Sequence, residues 1–156
     1  MPTTAAWIIE ARDWDDPRGV GLRTSQRAEL DERYGCDDHE PGPLPSAADV
    51  SVFLMAFGPD GEALGCGALR ELDESSAEVK RMYVVPESRG SGVAAALLAA
   101  LEDAASAHGW TTVKLETGVA QPDAIRFYER EGYHRIPRFG HYADWDISVC
   151  YAKSLA

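Results

Sequence analysis

The chain has 156 residues, a length typical of one compact domain, so we expect a single domain over residues 1–156. Hydrophobic residues make up 45% and charged residues 26% of the chain, which excludes a disordered or fibrous protein. The formal net charge of −11 argues against a nucleic-acid or anionic-membrane partner, since both require clustered Lys and Arg. The chain shows no apolar run of membrane-spanning length, and its early acidic residues are unlike a secretory signal, so we expect a cytoplasmic protein.

The N-terminal third predicts one strand, one helix and a loop. Residues 5–10 form a short apolar run that favours a strand, and residues 17–34 show helical spacing of apolar side chains up to Gly35. Residues 36–49 contain three prolines and four acidic residues, which cannot extend a helix or a central strand. We therefore predict a long loop there.

The middle of the chain predicts an antiparallel arrangement of strands. Residues 50–57 and 62–72 flank the sequence GPDG, which is a hairpin signal. Residues 77–85 follow a further turn and favour the next strand. Three consecutive antiparallel strands are expected from this pattern.

The C-terminal half alternates helices with strands. Apolar side chains recur at helical spacing over residues 93–108, residues 111–117 favour a strand, and residues 122–131 predict a second helix that ends at Gly132. A strand, helix, strand order implies a parallel pair, and the segments YHRI and DISVCYAK predict two last strands. The expected fold class is α/β, or α+β, with a mixed and mainly antiparallel sheet, a central parallel pair and flanking helices.

The glycine-rich segment RGSG, residues 89–92, directly precedes the helix over residues 93–108. Two such glycines at a helix N-terminus expose backbone N–H groups that bind anions. A Walker phosphate loop is excluded, because no Lys followed by Ser or Thr comes after Gly92. A dinucleotide fingerprint fits Gly90, Gly92 and Ala95, with Glu116 as the ribose acid, but the preceding antiparallel strands and the 40 residues that follow Glu116 do not suit that fold.

Two segments of the chain resemble the GNAT superfamily of acetyl-CoA-dependent N-acetyltransferases. Residues 89–94, RGSGVA, match that family's R/Q-x-x-G-x-[GA] motif, and AEVKRMYVVPESRGSGVAAALL resembles its central strand, loop and helix. LETGVAQPDAIRFYEREGY resembles the strand and helix that follow, with Gln121 where many members carry asparagine. Residues 77–133 are covered in this way, and residues 1–49 match in outline. The resemblance implies a GNAT-like fold, an acyltransferase activity, and acetyl-CoA held where the central parallel pair splays apart.

The resemblance also indicates an acetyl-CoA site. The backbone N–H groups of residues 90–94 are expected to hold the pyrophosphate without a metal, and the backbone of residues 82–85 to pair with the pantetheine arm. The amide near Val84 would then polarise the acetyl carbonyl. The predicted cofactor-binding residues are Met82, Tyr83, Val84, Val85, Arg89, Gly90, Ser91, Gly92, Val93, Ala94, Gln121 and Ala124.

Two catalytic residues are implied by the same resemblance. Tyr128 lies where the family's frequent general acid is found, and its phenol can protonate the departing thiolate; a packed core tyrosine is the alternative. Glu78 matches a glutamate that several members use to deprotonate the amine through water; pairing with a neighbouring cation is the alternative. Strand alternation predicts Glu78, Lys80 and Met82 on one face of the sheet, with Val79, Arg81 and Tyr83 on the other.

The acceptor is predicted to be a small, cationic molecule with a primary amine. Acidic side chains gather in the loop expected to border it, and such charge raises the local concentration of counter-ions; an acidic loop that only keeps the protein soluble is the alternative. The end of the parallel strand and the late hairpin supply further candidates, with a solvated strand end and surface packing as their alternatives. The candidate substrate-binding residues are Asp37, Asp38, Glu40, Glu116, Thr117, His141 and Tyr142.

The sequence predicts no metal site. Its three cysteines, Cys36, Cys66 and Cys150, are widely spaced and form no Cys-x-x-Cys pair, and His134 and His141 lack metal-like spacing. Two other functions stay open, a protein lysine or N-terminal acetyltransferase and a non-catalytic acyl-CoA sensor. A homodimer formed through the late strands is a further option.

Overall fold

The computed structural model describes residues 7–36 and 44–155, which form a seven-stranded sheet with helices packed on both faces. The first strand begins later than expected, and residues 37–43 of the predicted loop lie outside the described ranges. The other predicted helices and strands are confirmed with boundaries that differ by at most two residues. In chain order the elements are β1 Ile8–Ala11, α1 Pro17–Tyr34, β2 Val50–Phe57, β3 Ala63–Asp73, β4 Ser76–Val84, α2 Val93–Ala107, β5 Thr112–Gly118, α3 Pro122–Arg130, β6 His134–Ile136 and β7 Ser148–Ser154.

The sheet is mixed, and one central pair of strands is parallel. Its strand order is β1-β2-β3-β4-β5-β7-β6, and every neighbouring pair is antiparallel except β4 and β5. These two strands pair only over residues 76–79 and 112–115, so their C-terminal halves separate. This confirms the predicted mixed fold with a splayed parallel pair. The resulting gap exposes the edge of β4 to a ligand.

A β-bulge at Arg81 changes which side chains of β4 share a face. Between Lys80 and Tyr83 the strand advances three residues while its partner β3 advances two. Arg81 has a φ of 56°, in the left-handed region that non-glycine residues rarely adopt. Met82 consequently packs with the cluster of Val79, and Tyr83 packs with the opposite cluster. The predicted alternation is therefore wrong beyond Lys80, because the extra residue interrupts the two-residue period.

Helices cover both faces of the sheet. Leu97 and Leu101 of α2 are fully buried on one face, and Leu22 of α1 packs against Phe53 on the other. Helix α2 packs closely against a glycine of β3, since a Cβ at Gly67 would lie 2.7 Å from Cδ1 of Leu101. Within the ranges that the structure describes, no helix has the length and apolar character needed to cross a membrane.

Helix α1 lies across the opening between β4 and β5. The carboxylate of Asp16 accepts a hydrogen bond from the backbone N–H of Arg18 at 3.0 Å, and Gly35 ends the helix with a φ of 69°. Midway along the helix, Nε2 of Gln26 donates to the carbonyl oxygen of Met82 at 2.9 Å. This contact joins α1 to β4 immediately after the bulge.

Candidate active site

A cleft of about 530 Å³ extends from the gap beside β4 to the N-terminus of α2. The predicted residues Val85, Ser91 and Val93 do not border it; Val93 is buried in the core, and the amide of Val85 donates to Leu64 of β3 at 2.9 Å. The structure thus brings most of the predicted acetyl-CoA residues to one cleft. Those that line it are Met82, Tyr83, Val84, Arg89, Gly90, Gly92, Ala94, Gln121 and Ala124.

The glycine loop presents backbone groups at the outer end of this cleft. Gly90 and Gly92 have φ values of 80° and 99°, which favour glycine at both positions. Ala94 lies in the first turn of α2, whose amides have no acceptor within the helix. Amides at the positive end of a helix suit a pyrophosphate, and the small side chains here do not block its approach. The residues present therefore fit the predicted phosphate site.

Arg89 connects the loop with α1. Its Nε donates to the carbonyl oxygen of Val84 at 2.9 Å, and its Nη2 donates to both carboxylate oxygens of Glu29 at 2.9 and 3.1 Å. The arginine therefore shapes the wall of the cleft, and Glu29 offsets its charge.

The amide of Val84 faces the gap. Because the amide of Val85 donates to Leu64 of β3, and successive strand amides point to opposite edges, the N–H of Val84 points away from β3. The gap on that side is the place where a thioester carbonyl would meet it. This orientation suits the predicted role of Val84 in polarising the acetyl group.

A second cavity, of about 110 Å³, lies where β4 and β5 separate beneath α1. It contains the predicted residues Glu116 and Thr117, together with Lys80, Arg81 and Tyr34, which the sequence did not single out as site residues. The two cavities meet, and the meeting point includes the predicted general acid. The residues that border both are Gln26, Leu30, Met82, Gln121, Ala124 and Tyr128.

Tyr128 is 7% exposed and lies at this junction. Burial raises the pKa of its phenol, and the negative charge of Glu116 raises that pKa further. The phenol is therefore protonated at neutral pH, and the raised pKa makes it a weaker proton donor than an ordinary tyrosine. The ring packs against Phe127 and Tyr133, so core packing and a role in the site coexist in this residue.

Glu116 projects from the point at which β5 leaves β4, directly after the last paired residue, Leu115. Oγ of Ser148 donates to Oε2 of Glu116 at 2.8 Å and orients the carboxylate. Thr117, the next residue, is 5% exposed and lines the same cavity. The structure thus places both predicted strand-end residues at the smaller cavity.

Glu78 borders neither cavity and lies in a buried polar network. Its carboxylate accepts hydrogen bonds from Nη2 of Arg70 at 3.1 Å and from Oη of Tyr142 at 2.5 Å. Nζ of Lys80 donates to Oη of Tyr142 at 2.9 Å, and Lys80 does border the smaller cavity. The predicted substrate residue Tyr142 thus joins Glu78 and borders neither of these two cavities, and its exposed neighbour His141 borders neither as well.

The remaining predicted acceptor residues, Asp37, Asp38 and Glu40, lie outside the described residues. The α1 residues at the cavities carry no motif, so sequence reasoning had no signal for them. Tyr34 is an example: its hydroxyl accepts a hydrogen bond from Nε2 of Gln121 at 3.3 Å, and a Cβ at Gly118 would lie 1.5 Å from that hydroxyl. These residues are distant in the chain, and only folding brings Tyr34 against Gln121 and Gly118.

Residues 10–133 match the model of the acetyltransferase (GNAT) family. The chain is 32% identical over 127 residues to the IAA acetyltransferase of Azospirillum brasilense. The aligned region covers 81% of this chain and 83% of that protein. A Klebsiella pneumoniae protein assigned as an acyl-CoA N-acyltransferase has a crystal structure 33% identical to this chain, with a TM-score of 0.83 over 96% of this chain and 98% of that chain. A GNAT family acetyltransferase from Elizabethkingia anophelis, solved with acetyl-CoA bound, is 16% identical, with a TM-score of 0.72 over 97% of this chain and 99% of that chain.

Proposed function

Because the chain belongs to the GNAT family of acetyltransferases and its cosubstrate is acetyl-CoA, we propose that it acetylates the primary amine of a small molecule. The observation that carries this proposal is the position of Tyr128 where the long cleft meets the small cavity. Acetyl donor and amine acceptor can therefore approach the same phenol from two sides. A cavity of about 110 Å³ favours a small acceptor.

On the donor side, the chain positions the thioester through its backbone. The amides of Gly92 and Ala94 would bind the pyrophosphate, and the edge of β4 would accept the pantetheine arm as an added strand. The amide of Val84 would stabilise the negative charge that develops on the acetyl oxygen. Tyr128, which keeps its proton, would protonate the departing thiolate.

On the acceptor side, Glu116 is the carboxylate that supports binding of an ammonium group and removal of its proton. It lies in the cavity, and Ser148 holds it in place. The base role predicted for Glu78 stays a prediction, because Glu78 is connected to the cavity only through Tyr142 and Lys80. The cationic acceptor inferred from the acidic loop also stays a prediction.

Release of coenzyme A thiol tests this function. Acetyl-CoA with a panel of small primary amines should release thiol at a rate that depends on the amine, and mass spectrometry should show the acetylated amine. Lysine-containing peptides should be poorer acceptors if the small cavity selects the substrate. Saturable acetyl-CoA binding without thiol release from any amine would instead favour the sensor.

A further inference from the structure

We propose that the acceptor is zwitterionic: besides its amine it carries an oxyanion, a carboxylate or sulfonate, which Arg81 and Lys80 bind while Glu116 faces the amine. This inference rests on the proposed function and adds the class of acceptor. It follows from the charges on the two walls of the cavity between β4 and β5.

The register of the parallel pair decides which side chains face each other. Glu78 of β4 and Lys114 of β5 are register partners, so they lie on the same face of the sheet. Two residues further along each strand, Lys80 and Glu116 share that face on opposite sides of the gap. Both line the small cavity. One wall therefore carries an ammonium group and the other a carboxylate.

The bulge adds a second cation to the β4 wall. Arg81, with its φ of 56°, lines the same cavity directly after Lys80. A non-glycine residue in this conformation costs free energy, and such strain is concentrated at functional sites. The bulge therefore places two consecutive cationic side chains at one cavity, which ordinary strand alternation would not do.

The position of Lys80 is restrained. It is 8% exposed, its Nζ donates to Oη of Tyr142 at 2.9 Å, and Oε2 of Glu78 lies 3.7 Å from the same nitrogen. Glu78 also accepts from Arg70, which itself pairs with Asp49, so this network balances two cations with two carboxylates.

Among the described residues that line this cavity, the cationic side chains Lys80 and Arg81 belong to β4, and the carboxylate of Glu116 belongs to β5. An amine that also carries an oxyanion complements both walls. A diamine, one form of the cationic acceptor predicted from the acidic loop, would place its second cation near Lys80 and Arg81, which like-charge repulsion disfavours, so the two predictions compete. Charge-assisted hydrogen bonds from arginine to an oxyanion are among the stronger polar contacts in proteins, so they can determine selectivity.

The test compares four amines of similar length by thiol release: β-alanine with a carboxylate, taurine with a sulfonate, aminopropanol as the neutral amine and diaminopropane as the cationic one. We expect kcat/KM for at least one anionic amine to exceed that for aminopropanol by about 10-fold or more. In Arg81→Gln this ratio should fall by about 10-fold, and Arg81→Lys should restore part of it. Arg18→Gln, which removes the same charge at a position outside both cavities, should keep the wild-type ratio.

A wild-type preference for aminopropanol or diaminopropane would overturn this inference alone and leave the acetyltransferase function standing. An unchanged ratio in a folded Arg81→Gln protein would overturn the role of Arg81. Absence of thiol release with every amine would overturn the proposed function, and this inference with it. The ranking of amines by the wild-type protein decides the acceptor class even if Arg81→Gln fails to fold.

Discussion

The proposed donor and acceptor sides of the gap between β4 and β5 are built in different ways. On the proposed donor side, the backbone groups expected to bind acetyl-CoA come from one contiguous segment, from the amide of Val84 through the glycine loop to the first turn of α2, and side chains of α1 and α3 line the rest of the cleft. The proposed acceptor side is lined by residues of α1, β4, β5 and α3, which are far apart in the chain.

This difference explains why the sequence identifies the acetyl donor, acetyl-CoA, more readily than it identifies the amine acceptor. A backbone site depends on conformation, so it leaves a compact motif with glycines at positive φ. A side-chain site depends on which residues the fold brings together, and it can change without altering the motif. The variants below test whether the two sides are as independent as this comparison implies.

The largest effect is expected from Gly92→Glu on the donor side. Wild-type protein should bind acetyl-CoA in the micromolar range by titration calorimetry, and the variant should show no saturable binding. A carboxylate at the phosphate site has the wrong charge, and a φ of 99° strains any side chain. Ala99→Glu, which adds the same charge on the exposed surface of α2, is the matched control and should bind normally. Normal binding by a folded Gly92→Glu protein would contradict the assignment of the cleft.

Tyr128→Phe should lower kcat by about 10- to 1000-fold and change acetyl-CoA affinity little, because it removes a proton donor at the junction without removing the ring. Steady-state kinetics and calorimetry together measure both quantities. Tyr133→Phe is the control: Tyr133 lies outside both cavities, and its hydroxyl donates to Glu102 at 2.9 Å. That change should lower the free energy of unfolding by about 1 kcal/mol and leave kcat intact. Equal kcat values in the two variants would show that Tyr128 has only a structural role.

Glu116→Gln should lower kcat/KM for the amine by about 10-fold or more and leave calorimetric binding of acetyl-CoA unchanged, since Glu116 lines only the smaller cavity. Glu87→Gln, at an exposed position outside both cavities, should behave as wild type.

Glu78→Gln should mainly lower the free energy of unfolding, because it leaves Arg70 and Lys80 without their shared carboxylate. A larger loss of kcat in a stable Glu78→Gln protein would assign the base to Glu78.

The smallest effect concerns stability at high pH. Burial raises the pKa values of Tyr128 and Tyr133 above the usual 10 of a phenol, so the folded state keeps protons that the unfolded state loses. The stabilising contribution is therefore complete below about pH 10 and is lost as the pH rises towards the folded-state pKa values. Each such tyrosine should lower the free energy of unfolding by about 1.4 kcal/mol per pH unit above pH 10. Urea unfolding between pH 8 and 11 measures this slope, and Tyr128→Phe should make it shallower; an identical slope would show that Tyr128 ionises equally in both states.

The fold was largely predictable because its signals are local. Apolar side chains at helical spacing marked α2, and the GPDG turn marked the hairpin of β2 and β3. The bulge was not predictable, because Arg81 is not a glycine and nothing in the surrounding letters indicates a positive φ. Its consequence, the exchange of faces between Met82 and Tyr83, follows from pairing with β3 and not from β4 itself.

By itself, the sequence determined the family and the parallel pair, and it predicted the backbone groups expected to meet acetyl-CoA, because residues 89–94 and the strand before them are contiguous. Only the tertiary structure separated the carboxylates, placing Glu116 in the small cavity and Glu78 behind Lys80 and Tyr142. It also brought two residues of α1 to the gap. Gln26 lies 56 residues from its partner Met82 along the chain, and Tyr34 lies 87 residues from its partner Gln121. The physical reason is that a motif specifies backbone conformation over a few neighbouring residues, whereas the charge lining a cavity depends on long-range packing and register that no short segment contains.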